Sequence, residues 1–168
     1  MDAEKFTKKS LEVIESCEKL AYEYNNQELT QAHLMYALVT IEDSLVAKLL
    51  TNMGINMEAF TGECEKLVAN RPKVSGGQLF TSPEFSKALI QAEKEAKQMG
   101  DDYISVEHIF LGLLEKADKD IKRVINAYGI TRGKFLEVLA NIRGNRKVES
   151  DNPEDTYDAL NKYGYNLV

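Results

Sequence analysis

Two histidines and two cysteines are the residues of this chain with the ligand chemistry of a zinc site or the reactivity of a nucleophilic pair. Their spacing fits neither. Cys17 and Cys64 make no CxxC pair, and His33 and His108 make no HxxxH pair. A thiol or metal enzyme built on them would need an orienting third group and an oxyanion site, and the sequence signals none. The carboxylates of Asp101, Asp102 and Glu107 gather near a helix start, where the positive helix end favours negative charge. No reacting partner accompanies them. No GxxxxGK[ST] or GxGxxG occurs, so no phosphate cradle is present in these residues. No catalytic residue, metal ligand or cofactor is expected within the chain.

What the histidines do share is context. "TQAHLMYAL", residues 30 to 38, returns 75 positions later as "SVEHIFLGL", residues 105 to 113. With that constant shift Glu18, His33, Leu38, Asp43, Gly54, Ile55 and Phe60 meet identical partners at Glu93, His108, Leu113, Asp118, Gly129, Ile130 and Phe135. The chain is one supersecondary unit written twice. The same shift sets Cys17 opposite Ala92 and Cys64 opposite Leu139, so both thiols stand where a hydrocarbon serves and are expected to fill the interior. The duplicated histidines, three residues inside a helix, are read as structural groups bonding the cap backbone or packing on a neighbouring helix.

Each unit reads as four helices, which predicts an all-α domain of two tandem, pseudo-twofold-related repeats. Phe85, Ala88, Leu89, Ala92, Ala96 and Met99 fall at helical spacing on one stripe. Thr30 and Ser105 are the expected N-caps of the second helices. In "MGINMEAF" and "YGITRGKF", Gly54 and Gly129 are expected in the left-handed conformation that ends a helix, and Asn56 and Thr131 restart the next one. Ile55 with Phe60, and Ile130 with Phe135, form hydrophobic staples. At the front of each unit Thr7 and Thr81 are expected caps, Phe6 and Phe80 staple onto Leu11 and Phe85, and Glu84 completes a capping box. That pair is 74 apart, which implies one residue of slip. "RPKVSGGQL" reads as a connection. The expected divisions are 1–72 and 80–145 for the repeats, 73–79 for the connection between them, and 146–168 for an exit linker with a short helix reaching Lys162.

With 168 residues, 43% of them apolar, the chain can bury a real interior, and a net charge of −6 argues against nucleic-acid partners. No window approaches the ~18 apolar residues of a membrane span. A soluble cytoplasmic protein with reduced cysteines is expected, and the tail "NPEDTYDALNKYGYNLV" is expected to lead into a longer protein. Where two such units meet, their first helices flank a seam. Phe6, Leu11, Val13, Phe80, Phe85 and Leu89 lie on or near those helices and are candidates for an apolar docking groove there.

The segments "FTKKSLEVIESCEKLA", "LTQAHLMYALV", "FTSPEFSKALIQAEKEAKQMGDDYISVEHIFLGLLE" and "INAYGITRGKFLEVLANIRGNRKV" together resemble the Clp N-terminal repeat domain of Clp-type AAA+ unfoldases, over about residues 4 to 147. The tail looks like the passage into the first ATPase module in the disaggregase branch of that family. The resemblance implies a module that captures unfolded or aggregated polypeptide for a hexameric ring using ATP and Mg, working with the DnaK chaperone system, the fragment itself being monomeric and without ATP. It implies substrate handling by Thr7 in "FTKKS", Asp101 in "MGDDYIS" and Glu107 in "SVEH", although Thr7 and Glu107 also suit helix capping. The protease-partner branch, whose N-domains bind adaptor proteins, is the competing reading.

Overall fold

The structure is a computed structural model that describes residues 2–144 and 146–153. The helix expected up to Lys162 lies outside them, apart from Pro153 at its start. Among the described residues eight α-helices follow a single 3-10 turn at Ala3–Lys5: α1 (Lys8–Glu23), α2 (Gln31–Thr40), α3 (Leu45–Asn52), α4 (Met57–Ala69), α5 (Pro83–Gln98), α6 (Val106–Glu115), α7 (Lys119–Ala127) and α8 (Arg132–Arg143). The domain is all-α, four helices on either side of the connection.

Side-chain caps set where these helices begin. Thr7, Ser44, Asn56, Asp118 and Thr131 each accept the backbone N–H of the third residue inside their helix. The expected stops are present as well. Gly54 has φ +87° and Gly129 φ +66°. The N–H of Ile55 then reaches the carbonyl of Leu50 at 3.1 Å, and that of Ile130 the carbonyl of Ile125 at 2.9 Å, closing the same cap in both halves. Phe60 and Phe135 are fully buried.

One expectation fails at the start of α5. Its N-cap is Ser82, which accepts the N–H of Phe85 at 3.0 Å, and Pro83 takes the first helical position. Thr81 is not the cap, Glu84 sits one place too early for a capping box, and Phe80 is half exposed, no staple at all. The reason is register. Ser82 lies 75 residues after Thr7, so the repeat runs without slip, and "FT" at 80–81 was a misleading echo of "FT" at 6–7.

Residues 80–81 instead form a strand. β1 (Glu28–Leu29) pairs in parallel with β2 (Phe80–Thr81), and Phe6 pairs with Ile104 in the same sense. The two pairings are copies of each other: Thr7 N–H donates to the Ile104 carbonyl at 3.0 Å, and Ser82 N–H to the Leu29 carbonyl at 2.9 Å. Each unit's lead-in residue thus pairs with the other unit's second helix lead-in, a reciprocal exchange that locks the halves together. Gln31 adds a clasp across the seam without a counterpart in the second half. Fully buried, it donates to the carbonyls of Glu84 at 2.9 Å and Lys116 at 2.8 Å, and accepts the N–H of Asp118 at 2.8 Å.

Close packing differs between the halves. α5 and α6 cross where Gly112 presents no side chain: a Cβ there would stand 2.3 Å from the Ala88 carbonyl oxygen and 3.0 Å from the Ala92 nitrogen. The equivalent positions in the first half carry Ala37, Val13 and Cys17, all buried. Both thiols lie in the hydrocarbon interior, as expected. Burial first, and then the nearby Glu63 carboxylate, push the Cys64 thiol up to about 12, and Cys17 is pushed up in the same way.

Candidate functional site

The polar candidates come together, but inside the molecule. His108 is the third residue of α6, and its Nδ1 accepts the N–H of Ser105 at 2.9 Å, closing the cap from the far side. With Nδ1 accepting, Nε2 carries the hydrogen and meets Asp101 Oδ2 at 2.7 Å. His33 repeats this, accepting from Thr30 N–H at 3.0 Å and facing Asn26 Oδ1 at 2.9 Å. The duplicated imidazoles are caps, each accepting at Nδ1 from the backbone and facing a side-chain oxygen at Nε2. Burial, with Arg71 adding repulsion, lowers His33 to about 4.

The second half then adds charge where the first has none. Asp101 stands in the place of Asn26 and Arg143 in the place of Val68. Arg143 donates to Asp101 Oδ1, which also accepts the N–H of Val148 at 3.0 Å. Burial alone would raise this carboxyl, but the bonds from His108, Arg143 and Val148 outweigh it and hold it at about 2. Glu107, in the place of Ala32, accepts from Ser105 Oγ, and its Oε2 lies 3.7 Å from Arg143 Nη1. Thr7 caps α1, and its hydroxyl also donates to Ser10 Oγ at 3.0 Å. Thr7 and Glu107 are fully buried and Asp101 is 7% exposed. None of the three presents a side chain on the surface.

The apolar candidates divide. Phe6 and Val13 belong to the core, and Leu11 is half-buried against it. Phe80, Phe85 and Leu89 do line an open groove, of about 520 Å³, together with Ile14, Tyr22 and Leu79. Phe85 forms a buried wall, whereas Phe80 is 52% and Tyr22 67% exposed. α1 and α5 both line this groove, together with the lead-in to β2. Among the described residues lining it, Glu18 is the one acidic or basic side chain.

Ile14, Tyr22 and Leu79 were not anticipated. The signal for two of them is a second stripe on α1. Val13, Cys17 and Ala21 face the core, and Ile14, Glu18 and Tyr22, one residue further along, face the groove. Among the described residues no cluster of histidine, cysteine and carboxylate groups could hold a metal ion. No helix among them is long and apolar enough to cross a membrane.

Comparison with known proteins agrees with this architecture. The profile of the Clp repeat (R) N-terminal domain matches residues 5–128. "Chaperone protein ClpB" of Nitratidesulfovibrio vulgaris is 42% identical across the whole chain, and that of Clostridium tetani 40% identical; the chain spans about 20% of the length of each. Among solved structures, the Hsp104 N-terminal domain from Candida albicans superposes with a TM-score of 0.78 at 20% identity, covering 89% of this chain and 99% of that one. A complex of the ClpV N-domain with a VipB peptide superposes at 0.66 with 18% identity, covering 89% and 90%. The chain belongs to the Clp repeat N-terminal domain family.

Proposed function

We propose that this domain is the client-capturing module of a ClpB-type chaperone, holding exposed apolar segments of unfolded or aggregated polypeptide in the groove between α1 and α5. The observation that carries this reading is the unsealed seam. Phe80 and Tyr22 stay exposed over a groove walled by Leu79, Phe85 and Leu89, whereas the rings of Phe60, Phe110 and Phe135 are fully buried. The names of the relatives support the chaperone assignment, and a peptide complex of a similarly folded domain supports the mode.

The grip is weak by design. Apolar burial contributes about 25 cal/mol per Å². A segment covering a few hundred Å² therefore gains only several kcal/mol, offset by the ordering of that segment. An aggregate that offers many segments to a hexamer of such domains is held by multivalency, while each segment can leave for the pore. In this reading the parent supplies ATP and Mg chemistry, receives clients from the DnaK system and works in the cytoplasm. Titrating the domain with an unfolded protein while following amide shifts tests the groove. Shifts at Tyr22, Leu79, Phe80 and Leu89 support it; shifts confined to α3, α4, α7 and α8 overturn it.

A further inference from the structure

The buried polar cluster, though closed to clients, is where the chain leaves the domain. After α8 the backbone turns back and lies over the end of α5. Val148, with no exposed surface, donates its N–H to Asp101 Oδ1 at 3.0 Å, and its carbonyl accepts from Asp102 N–H at 2.8 Å and Tyr103 N–H at 3.3 Å. Lys147 Nζ reaches the Met99 carbonyl at 2.7 Å, and Arg143 Nε holds the Arg146 carbonyl at 2.9 Å. Three residues on, the Asp151 carbonyl accepts from Lys8 N–H at 2.8 Å, beside the Thr7 cap. Thr7, Asp101 and Glu107 are far apart in sequence, yet they converge on this segment. Thr7 starts the helix whose first N–H holds Asp151, Asp101 binds Val148, and Glu107 lies against the guanidinium that binds Asp101.

The first half shows that the place is a built one. Its own exit chain, which becomes the connection to β2, lies over the end of α1 in the same position. There Asn26 Nδ2 donates to the Pro72 carbonyl at 3.2 Å, Val74 N–H to the Asn25 carbonyl at 2.8 Å, and Lys73 Nζ to the Tyr24 carbonyl at 3.2 Å. Tyr24, Asn25 and Asn26 are the counterparts of Met99, Gly100 and Asp101. The domain thus grips two exits alike, one with a neutral carboxamide and the other with a carboxylate braced by Arg143 and His108. In the first half the exit is tied down at both ends by the fold. In the second, among the described residues, these bonds and the burial of Val148 hold it, and a charge-assisted set is a stronger tie than a neutral one.

We propose that residues 146–151 form a releasable strap, and that Asp101, Thr7 and Glu107 are positioning residues that set how firmly the domain is held on its exit chain. A closed strap fixes the direction in which the chain departs from α5 and α1. An open strap adds about six residues of free tether, enough to swing the groove through ~20 Å. The client groove lies elsewhere on α1 and α5, so strap and groove are separable.

Hydrogen exchange on the chain separates them. In Asp101→Asn the amides of Asp102, Tyr103 and Val148 are expected to exchange about tenfold faster or more, the effect of losing one charge-assisted hydrogen bond. Amides of α2 and α3, and affinity for an unfolded reporter, keep their wild-type values. Because Asp101→Asn leaves Arg143 buried beside a neutral group and could unfold the domain, Val148→Pro provides the second arm: it removes the donated N–H and nothing from the cluster. It should also accelerate exchange at Asp102 and Tyr103, and expose the Arg146 and Lys147 bonds to trypsin. Unchanged exchange at Asp102 in Val148→Pro, or acceleration shared equally by every helix, overturns the strap. Wild-type reporter binding in a folded Val148→Pro variant, with exchange unchanged, would count against the strap and leave the groove standing.

Discussion

Asp101 and Asn26 occupy the same place in the two halves of the domain, each an oxygen acceptor for the Nε2 hydrogen of its own capping histidine, at 2.7 Å from His108 and 2.9 Å from His33. The geometry is shared and the charge is not. The carboxylate of Asp101 is buried beside Arg143, whereas the carboxamide of Asn26 needs no counter-ion. Duplication kept the cap and changed the electrostatics around it, and the two halves should therefore respond to acid in different pH windows.

The signs can be worked out group by group. Asp101, held at about 2 against an ordinary 3.8, contributes stability that is fully present above its unfolded value and is lost as pH falls through 2. That contribution is on the order of 2 kcal/mol. His33, lowered to about 4 from 6.5, is neutral in the fold, so stability erodes as pH falls from 6.5 to 4 and the unfolded chain takes up the proton first. Denaturant unfolding at a series of pH values should show two descending steps. His33→Gln keeps an acceptor for the Thr30 N–H and should flatten the upper step. Asp101→Asn should lower stability at neutral pH and flatten the lower step. A His33→Gln domain with the wild-type slope between pH 6.5 and 4 contradicts this assignment.

Gly112 should be the least replaceable glycine that has ordinary helical backbone. An added methyl would stand 2.3 Å from the Ala88 carbonyl oxygen, a backbone atom that cannot rotate away, so the α5 and α6 axes must separate. Gly112→Ala is expected to destabilise by about 1–3 kcal/mol, the range for overpacking a tight interior. Gly62, in the middle of α4 with nothing near its missing Cβ, is the internal control. Gly62→Ala should stabilise by about 0.5–1 kcal/mol, because helix propensity is then the main effect. Thermal or denaturant melts of the two variants decide it by opposite signs.

What the sequence made legible follows from which features are local. The caps at Thr7, Asn56 and Thr131 and the stops at Gly54 and Gly129 rest on a few adjacent residues, and the repeat let each be read twice. The start of α5 was misread because "FT" matched by letter what Ser82 matches by register, and a cap is decided by backbone geometry. The strand pairs β1–β2 and Phe6–Ile104 were invisible since two residues carry no periodicity, and their partners lie 52 and 98 residues away. The histidine caps were half legible: position three in the helix suggested a backbone bond, but nothing local announced Asp101 or Asn26 as the outer partner. The depth of Glu107 was missed for a related reason. Its charge suited an exposed first turn, and its burial is compensated by the Ser105 hydroxyl and by Arg143, 36 residues later.

Phe80 offers the sharpest separation of binding from stability. Its ring is half exposed on the groove, while its place in β2 is held by backbone bonds that a shorter side chain leaves intact. Phe80→Ala should therefore cost less than about 1 kcal/mol of stability, as for an exposed side chain. Its ring would be covered by a docked client, however, and losing that burial should weaken affinity for an unfolded reporter about tenfold. Leu49→Ala supplies the reverse pattern. Leu49 is fully buried on α3 and does not line the groove, so truncation should remove about 2–5 kcal/mol of stability and leave the affinity of the folded fraction unchanged. Fluorescence binding and denaturant unfolding on the two variants give four numbers, and the groove assignment requires them to cross. If both variants lose affinity only in proportion to the protein they leave unfolded, the exposed ring is a surface residue with no client, and capture must be sought on another face.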